Sequence, residues 1–288
     1  MMTTPRLMES DLPALYSQYY PRASVDYESM EREANLVVQP RAAFRRWLSG
    51  TDNQGHYLAR AGQTVLDIGS GACLSLLEMK LVDVEGYGVE TDPNVRAIAD
   101  KFGLNVHIGS IHDNPFPGKQ FDLVVMNQVI EHIPEPGALL NVVKSRLKPD
   151  GRLILSFPNA GSLARLLSGR KWINWHVPYH QHHFSLKSFS RLASQHGYRV
   201  GRVRTVTPNL WTVLQIRALS EETREGQASG SWASGAAAHR QPTLAEWLWA
   251  VLKDRLRRGI SMGLVAANRA VDAAGKGDSL VVELYPVN

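Results

Sequence analysis

The chain has 288 residues, 44% of them hydrophobic, which allows one large domain or two modest ones with a sizeable core. No apolar run approaches the roughly 20 residues that cross a bilayer, the opening stretch MMTTPRLMESDLPALY lacks the apolar core of a signal peptide, and the single cysteine, Cys73, excludes an internal disulfide. A cytoplasmic protein is the expectation, and the net charge of +5 permits an acidic partner, either nucleic acid or an anionic membrane surface.

Residues 1–60 are polar and aromatic and predict a helical N-terminal cover. Leu12, Leu15, Tyr16, Tyr19 and Tyr20 fall at helical spacing. A second helix is predicted over Pro40 to Leu48, with Phe44, Trp47 and Leu48 on one face, as a cover on the main domain that also touches its pocket. From Ala61 the pattern becomes regular. Strands are predicted at Thr64 to Ile68, Gly86 to Glu90, Val106 to Ile108, Phe121 to Met126, Leu153 to Phe157 and Tyr198 to Val206. Helices follow the first strand to about Val82, then cover Asn94 to Phe102, Pro136 to Leu147 and Ser185 to His196. The turn signal Lys148-Pro149-Asp150-Gly151 ends the third of these. Thr207 to about Lys276 interrupts the sheet, Glu225 to Ala238 reads as a flexible loop, and Ser279 to Tyr285 is a final strand. Alternation of this kind argues for a doubly wound parallel α/β sheet. The domain so defined is 61–207 with 279–288, and 208–278 is a helical insertion before the last strand.

The stretch TVLDIGSGACLSLL, Thr64 to Leu77, reads as a buried strand, a glycine turn and a helix start. Gly69 and Gly71 let the backbone turn tightly and approach a ligand. The helix then points its first N–H groups back at the turn. This is the first βα unit of a nucleotide-binding domain. Glu90 ends the second strand, where a carboxylate accepts hydrogen bonds from both hydroxyls of a ribose. The plainer reading, a surface acid beside the turn Thr91-Asp92-Pro93, is weaker because the glycine turn and the acid support each other.

Four segments in order, VLDIGSG, GYGVETD, HIGSIHDNPFPGKQFDLVVMNQVIEHIPEP and LKPDGRLILSFPNA, make the chain resemble class I S-adenosylmethionine-dependent methyltransferases over about residues 61–207 and 279–288. The resemblance implies a Rossmann-like sheet of seven strands with the last one antiparallel, and S-adenosyl-L-methionine as cofactor. It places Asp67, Gly69 and Gly71 around the methionine moiety, Glu90 at the ribose, Ser110 and Ile111 at the adenine, and Asn127 and Gln128 beside the methyl-transfer centre. Cys73 stands where the family often has a third glycine, and Ser110 where it often has an aspartate.

Methyl transfer is in-line displacement, and the enzyme mostly aligns donor and acceptor. An oxygen or nitrogen acceptor calls for a base, for which histidine is best placed by pKa. Glu131-His132 follows the fourth strand, where the family often carries Glu-His; a pocket role and a loop-holding role are both open. The stretch WINWHVPYHQHHFS, Trp172 to Ser185, holds His176, His180, His182 and His183. With no acid or cysteine within it, no metal site is expected. A subset of the family near glycan, lipid and quinone pathways has a Trp, then Pro-x-His and Phe-Ser before a helix, matching Pro178, His180, Phe184 and Ser185. That subset points to His180 as base or substrate contact, with Ser185 capping the helix.

In the insertion, Leu244, Trp247, Leu248, Val251, Leu252 and Leu256 share a helical face beside Lys253, Arg255, Arg257 and Arg258. This is a packed helix, a dimer contact or, over 243–258, a peripheral contact with anionic membrane. Basic charge alone argues little for nucleic acid. The sequence therefore reads as a methyltransferase acting on a small, glycan- or lipid-linked acceptor, with His132 and His180 as catalytic candidates. The competing readings are an RNA or protein methyltransferase and a non-catalytic methyltransferase-like binding subunit, the latter resting on Cys73 and Ser110.

Overall fold

The structure, a computed structural model, describes residues 26–220 and 261–287. Alternating strands and helices wind into one sheet: β1 (Thr64–Ile68), α3 (Leu74–Leu81), β2 (Glu85–Glu90), α4 (Val95–Phe102), β3 (Asn105–Ile108), β4 (Phe121–Asn127), α5 (Pro136–Arg146), β5 (Leu147–Pro158), α6 (Leu163–Ser168), α7 (Leu186–Gln195), β6 (Tyr198–Val206), α8 (Asn209–Ser220) and β7 (Ser279–Pro286). Two short helices precede them, α1 (Tyr27–Ala34) and α2 (Ala42–Ser49). Helix α9 occupies 261–273 among the described residues. The sheet has seven strands in the order β3-β2-β1-β4-β5-β7-β6. β1 to β5 pair in parallel, and β7 is antiparallel to both β5 and β6.

Period-two alternation sends successive strand residues to opposite faces. Leu66, Ile68, Val124, Met126, Leu153, Leu155 and Phe157 face a cluster completed by α5 and α7. Val65, Leu123, Val125, Ile154 and Val281 face another, built with α1, α3 and α4. Both faces are covered, as parallel sheets require. The strand order reverses between β1 and β4, so their C-terminal ends open the crevice in which this architecture binds ligands.

Two expectations need correction. The turn at Lys148-Pro149-Asp150-Gly151 lies inside β5 rather than before it. Leu147 pairs with Phe121 and Arg152 with Leu123, so the residues between them bulge without ending the pairing. In α2, Phe44, Trp47 and Leu48 are exposed rather than packed on the domain, and Phe44 stacks on Trp47. Leu12 to Tyr20, the Glu225 to Ala238 loop and the 243–258 helix lie outside the described residues.

What anchors α2 is its end. Gly50 closes the helix at φ 72°, and the guanidinium of Arg269 donates to the carbonyls of Trp47 and Thr207 while pairing with Asp272 at 3.0 Å. The following loop then crosses the sheet, with Gly55 so close to Val125 that a Cβ would lie 2.7 Å from Cγ1. Gly50→Ala would place a methyl against the Thr207 carbonyl and the Arg269 guanidinium in a left-handed backbone. We expect a loss of roughly 2 kcal/mol in urea unfolding, whereas Gly62→Ala, with open space around its Cβ, loses only the left-handed backbone penalty.

Candidate active site

The glycine turn leaves β1 through Gly69 at φ 75° and Gly71 at φ 52°. A Cβ on Gly69 would strike the Val129 side chain, while one on Gly71 would meet nothing within 4 Å. The turn is thus pressed against the exit of β4 on one side and open on the other. Cys73 also adopts a left-handed backbone, φ 63°, and its buried thiol is pushed up to about 12 by burial, so it is inert. Asp67 turns inward: its carboxylate accepts the Ser75 hydroxyl of α3, and burial raises its pKa to about 6 against the pull of Ser75 and His56. It therefore ties the turn to α3 from below. His56 and Tyr57 do the same from the crossing loop, both bonding Glu78 of α3, at 2.7 Å and 2.9 Å.

Glu90 stands beside the turn. Its carboxylate accepts the Gly71 N–H at 2.9 Å and the N–H groups of Thr91 and Asp92 at 2.7 and 3.0 Å. Asp92 is used differently, accepting the Asn94 backbone and side chain at 3.0 and 2.9 Å. Ser110 caps a single turn, with its hydroxyl on the His112 N–H, while Asp113 accepts the Ser110 N–H at 2.7 Å. Ile111 is buried in the core beside that cap. At the end of β4, Asn127 accepts the Ser156 hydroxyl, and Gln128, at φ 54°, donates to Asp52 at 2.7 Å and Ser279 at 3.2 Å.

One turn further, the two sequence-distant histidines meet. His132 and His180 pack edge to face with ring centroids 4.7 Å apart. His132 Nδ1 lies 3.0 Å from the Tyr179 carbonyl and His180 Nδ1 lies 2.8 Å from the Asn174 carbonyl. A carbonyl only accepts, so both rings carry their proton on Nδ1 and, when neutral, their lone pair on Nε2. Burial keeps them neutral: it lowers His132 to about 4 and pushes His180 well below the usual histidine range, with the neighbouring histidines adding to the effect. Beside them Glu131 is 1% exposed, and neither carboxylate oxygen has a hydrogen-bond partner among the described residues. Burial raises it to about 8, with Asp52 contributing repulsion. Donor atoms of Glu131, His132 and His180 all lie within 4.8 Å of one another. This set could hold a cation only by shedding the Glu131 proton. The fold thus brings two rings, each with its Nδ1 on a backbone carbonyl, and a buried acid together after β4. His182 and His183 bond the Pro134 and Trp175 carbonyls and hold the loop together.

Three acids here carry no signal in the sequence. Asp52 and Asp113 sit in polar loops like many others, and Asp278 precedes the last strand. A cleft of about 1190 Å³ lies elsewhere: it runs along β6 between α2, the start of α7 and the end of α9, lined by Arg46, Trp47, Arg204 and Lys276. It includes neither the glycine turn nor the histidines.

Comparison with known proteins agrees with this geometry. Residues 41–203 match the family model described as a methyltransferase domain. The chain belongs to that family and carries a class I, S-adenosylmethionine-dependent methyltransferase domain. Over 132 residues it is 30% identical to the ubiquinone biosynthesis O-methyltransferase of Cereibacter sphaeroides, covering 43% of this chain and 53% of that one. The mitochondrial enzyme of the same name from Schizosaccharomyces pombe is 32% identical over 117 residues, 38% of this chain and 42% of its own. The chain thus spans about half the length of the curated relatives it matches. Among solved structures, a chain of the complex between the Haloferax volcanii Trm112 methyltransferase activator and a methyltransferase superposes with a TM-score of 0.52 at 15% identity, over 93% of this chain and all of the other. The [4+2]-cyclase SpnF superposes at 0.50 and 16% identity, over 93% of this chain and 84% of its own. These two likenesses show the fold alone. The site itself fits the cofactor: the space over Gly71 is open, and the Glu90 carboxylate borders it.

Glu131 sets a pH dependence. A carboxyl with an ordinary value of 4.5 that is held at about 8 keeps its proton in the folded chain while the unfolded chain loses it. Its contribution to stability is complete below about 4.5 and is lost progressively as pH rises to about 8. Relative to the unaltered protein, Glu131→Gln should gain in melting temperature as pH rises from 5 to 8, read by calorimetry. An unchanged slope would show that Glu131 is ionised in the folded state.

Proposed function

We propose that the protein transfers a methyl group from S-adenosylmethionine to a hydroxyl oxygen of a small, glycan- or lipid-linked acceptor. The observation that carries this is the pair of buried neutral imidazoles with their Nδ1 protons committed to the Tyr179 and Asn174 carbonyls. A hydroxyl needs a base, and these rings present one near the exit of β4. The names of the matched relatives, O-methyltransferases of a quinone pathway, support oxygen as the methylated atom.

The bound cofactor supplies an electrophilic methyl on a sulfonium. The chain supplies binding and alignment. Glu90 takes the ribose hydroxyls, Ser110 and Ile111 border the adenine, and Asp67 with Gly69 and Gly71 shapes the turn around the methionine moiety. Asn127 and Gln128 border the transfer centre. Nε2 of His180 or His132 accepts the acceptor's proton as its oxygen takes the methyl. Displacement at that methyl would release the cofactor as a neutral thioether, leaving the acceptor's proton for the chain to hold at Nε2. The neutral acid Glu131 lies beside both rings and keeps the set free of net charge. Among the described residues no helix is long and apolar enough to cross a membrane.

Two tests bear on this reading. By calorimetry with S-adenosylhomocysteine, Glu90→Ala should weaken binding at least about tenfold, and Asp92→Ala much less, since Asp92 is committed to Asn94. Equal affinities would remove the ribose assignment. Against a panel of catechols and phenols, His180→Ala should lower turnover about a hundredfold with cofactor affinity unchanged. Full turnover would remove His180 as the base.

A further inference from the structure

Asp278 is a buried carboxylate, 2% exposed, that the glycine turn and the histidines do not touch directly. It sits just before β7, with its own backbone fixed: its carbonyl accepts the Asn159 N–H at 2.8 Å and its N–H donates to Thr207 at 3.1 Å. Its side chain accepts the Ser162 hydroxyl at 2.7 Å, the Trp172 indole N–H at 2.9 Å and the Asn174 amide at 3.1 Å. All three donors belong to the segment that leads from β5 into the histidine loop, and all three residues are buried. Asn174 then accepts, through its backbone carbonyl, the Nδ1–H of His180 at 2.8 Å.

A buried carboxylate without a paired cation is tolerated only when donors satisfy it. A carboxylate accepts at both oxygens and donates nothing, which is what three converging donors require. An amide of the same shape would turn an NH₂ towards either the Asn174 amide or the Ser162 and Trp172 donors. We propose that Asp278 is a positioning residue for the transfer reaction, fixing the Asn174 carbonyl and through it the His180 ring with its proton on Nδ1. The consequence for turnover rests on His180 being the base; the clamp itself does not.

The test uses full-length protein labelled with ¹⁵N in histidine, with the His180 signal assigned by its loss in His180→Gln. In the unaltered protein His180 shows the Nδ1–H tautomer. In Asp278→Asn we expect a mixture of tautomers. With the phenolic acceptor turned over fastest in the panel above, we expect turnover to fall at least about tenfold, while the Kd for S-adenosylhomocysteine stays within about twofold. Asn174→Ala, which cuts only the last link to Asp278, shows the same effects to a smaller degree, and it decides the matter if Asp278→Asn does not fold. An unchanged tautomer in the folded variants would overturn the clamp. A lost tautomer with full turnover would keep the clamp and remove His180 as the base.

Discussion

The structure depends on how closely the first βα turn is pressed onto the end of β4. Gly69 lies so near Val129 that no side chain fits between them. This close approach sets the crevice wall, because the residues after Val129 are Ile130, Glu131 and His132. On the open side Glu90 grips the Gly71 N–H, so the turn, the end of β2 and the exit of β4 form one rigid unit. From below, Ser75 and Asp67 join the turn to α3, and His56 and Tyr57 join the crossing loop to the same helix through Glu78. A turn built this way is held by side chains that are mostly buried and fixed by their own hydrogen bonds.

Burial does the chemical tuning around it. A histidine in water is half charged near pH 6.5, but His132 and His180 are held neutral by desolvation, and Glu131 is held protonated for the same reason. Neutral imidazoles suit an acceptor whose proton must leave as the methyl arrives. They also avoid repelling the positively charged donor. Burial thus keeps both rings in the proton-accepting form, at the expense of their intrinsic basicity.

The sheet was readable because its signals are local. Runs such as VLDIG and FDLVVM fix strand and face by alternation, and the glycine turn with Glu90 is a pattern of neighbours in sequence. The limits were equally physical. Helical spacing shows that Phe44, Trp47 and Leu48 share a face, yet not what lies against it, and in the structure they are exposed. A Pro-Asp-Gly turn signal cannot distinguish a strand boundary from a bulge, and β5 uses it as a bulge. His132 and His180 each stood out in the sequence. Their meeting did not, because it depends on the 172–185 loop folding back to the exit of β4, where the N–H groups of Gln181 and His182 bond the Glu131 carbonyl at 2.8 and 3.0 Å. Asp52 and Asp278 were invisible for the same reason: their partners are far away in the chain.

The most direct measurement is a crystal structure of the protein with S-adenosylhomocysteine. The account predicts the ligand across the ends of β1 and β2, its ribose hydroxyls on the Glu90 carboxylate and its sulfur facing the exit of β4, on the side of His132 and His180. Ligand seated instead in the cleft along β6, or bound over the turn with Glu90 still closed on Gly71 and no contact to the ribose, would contradict it.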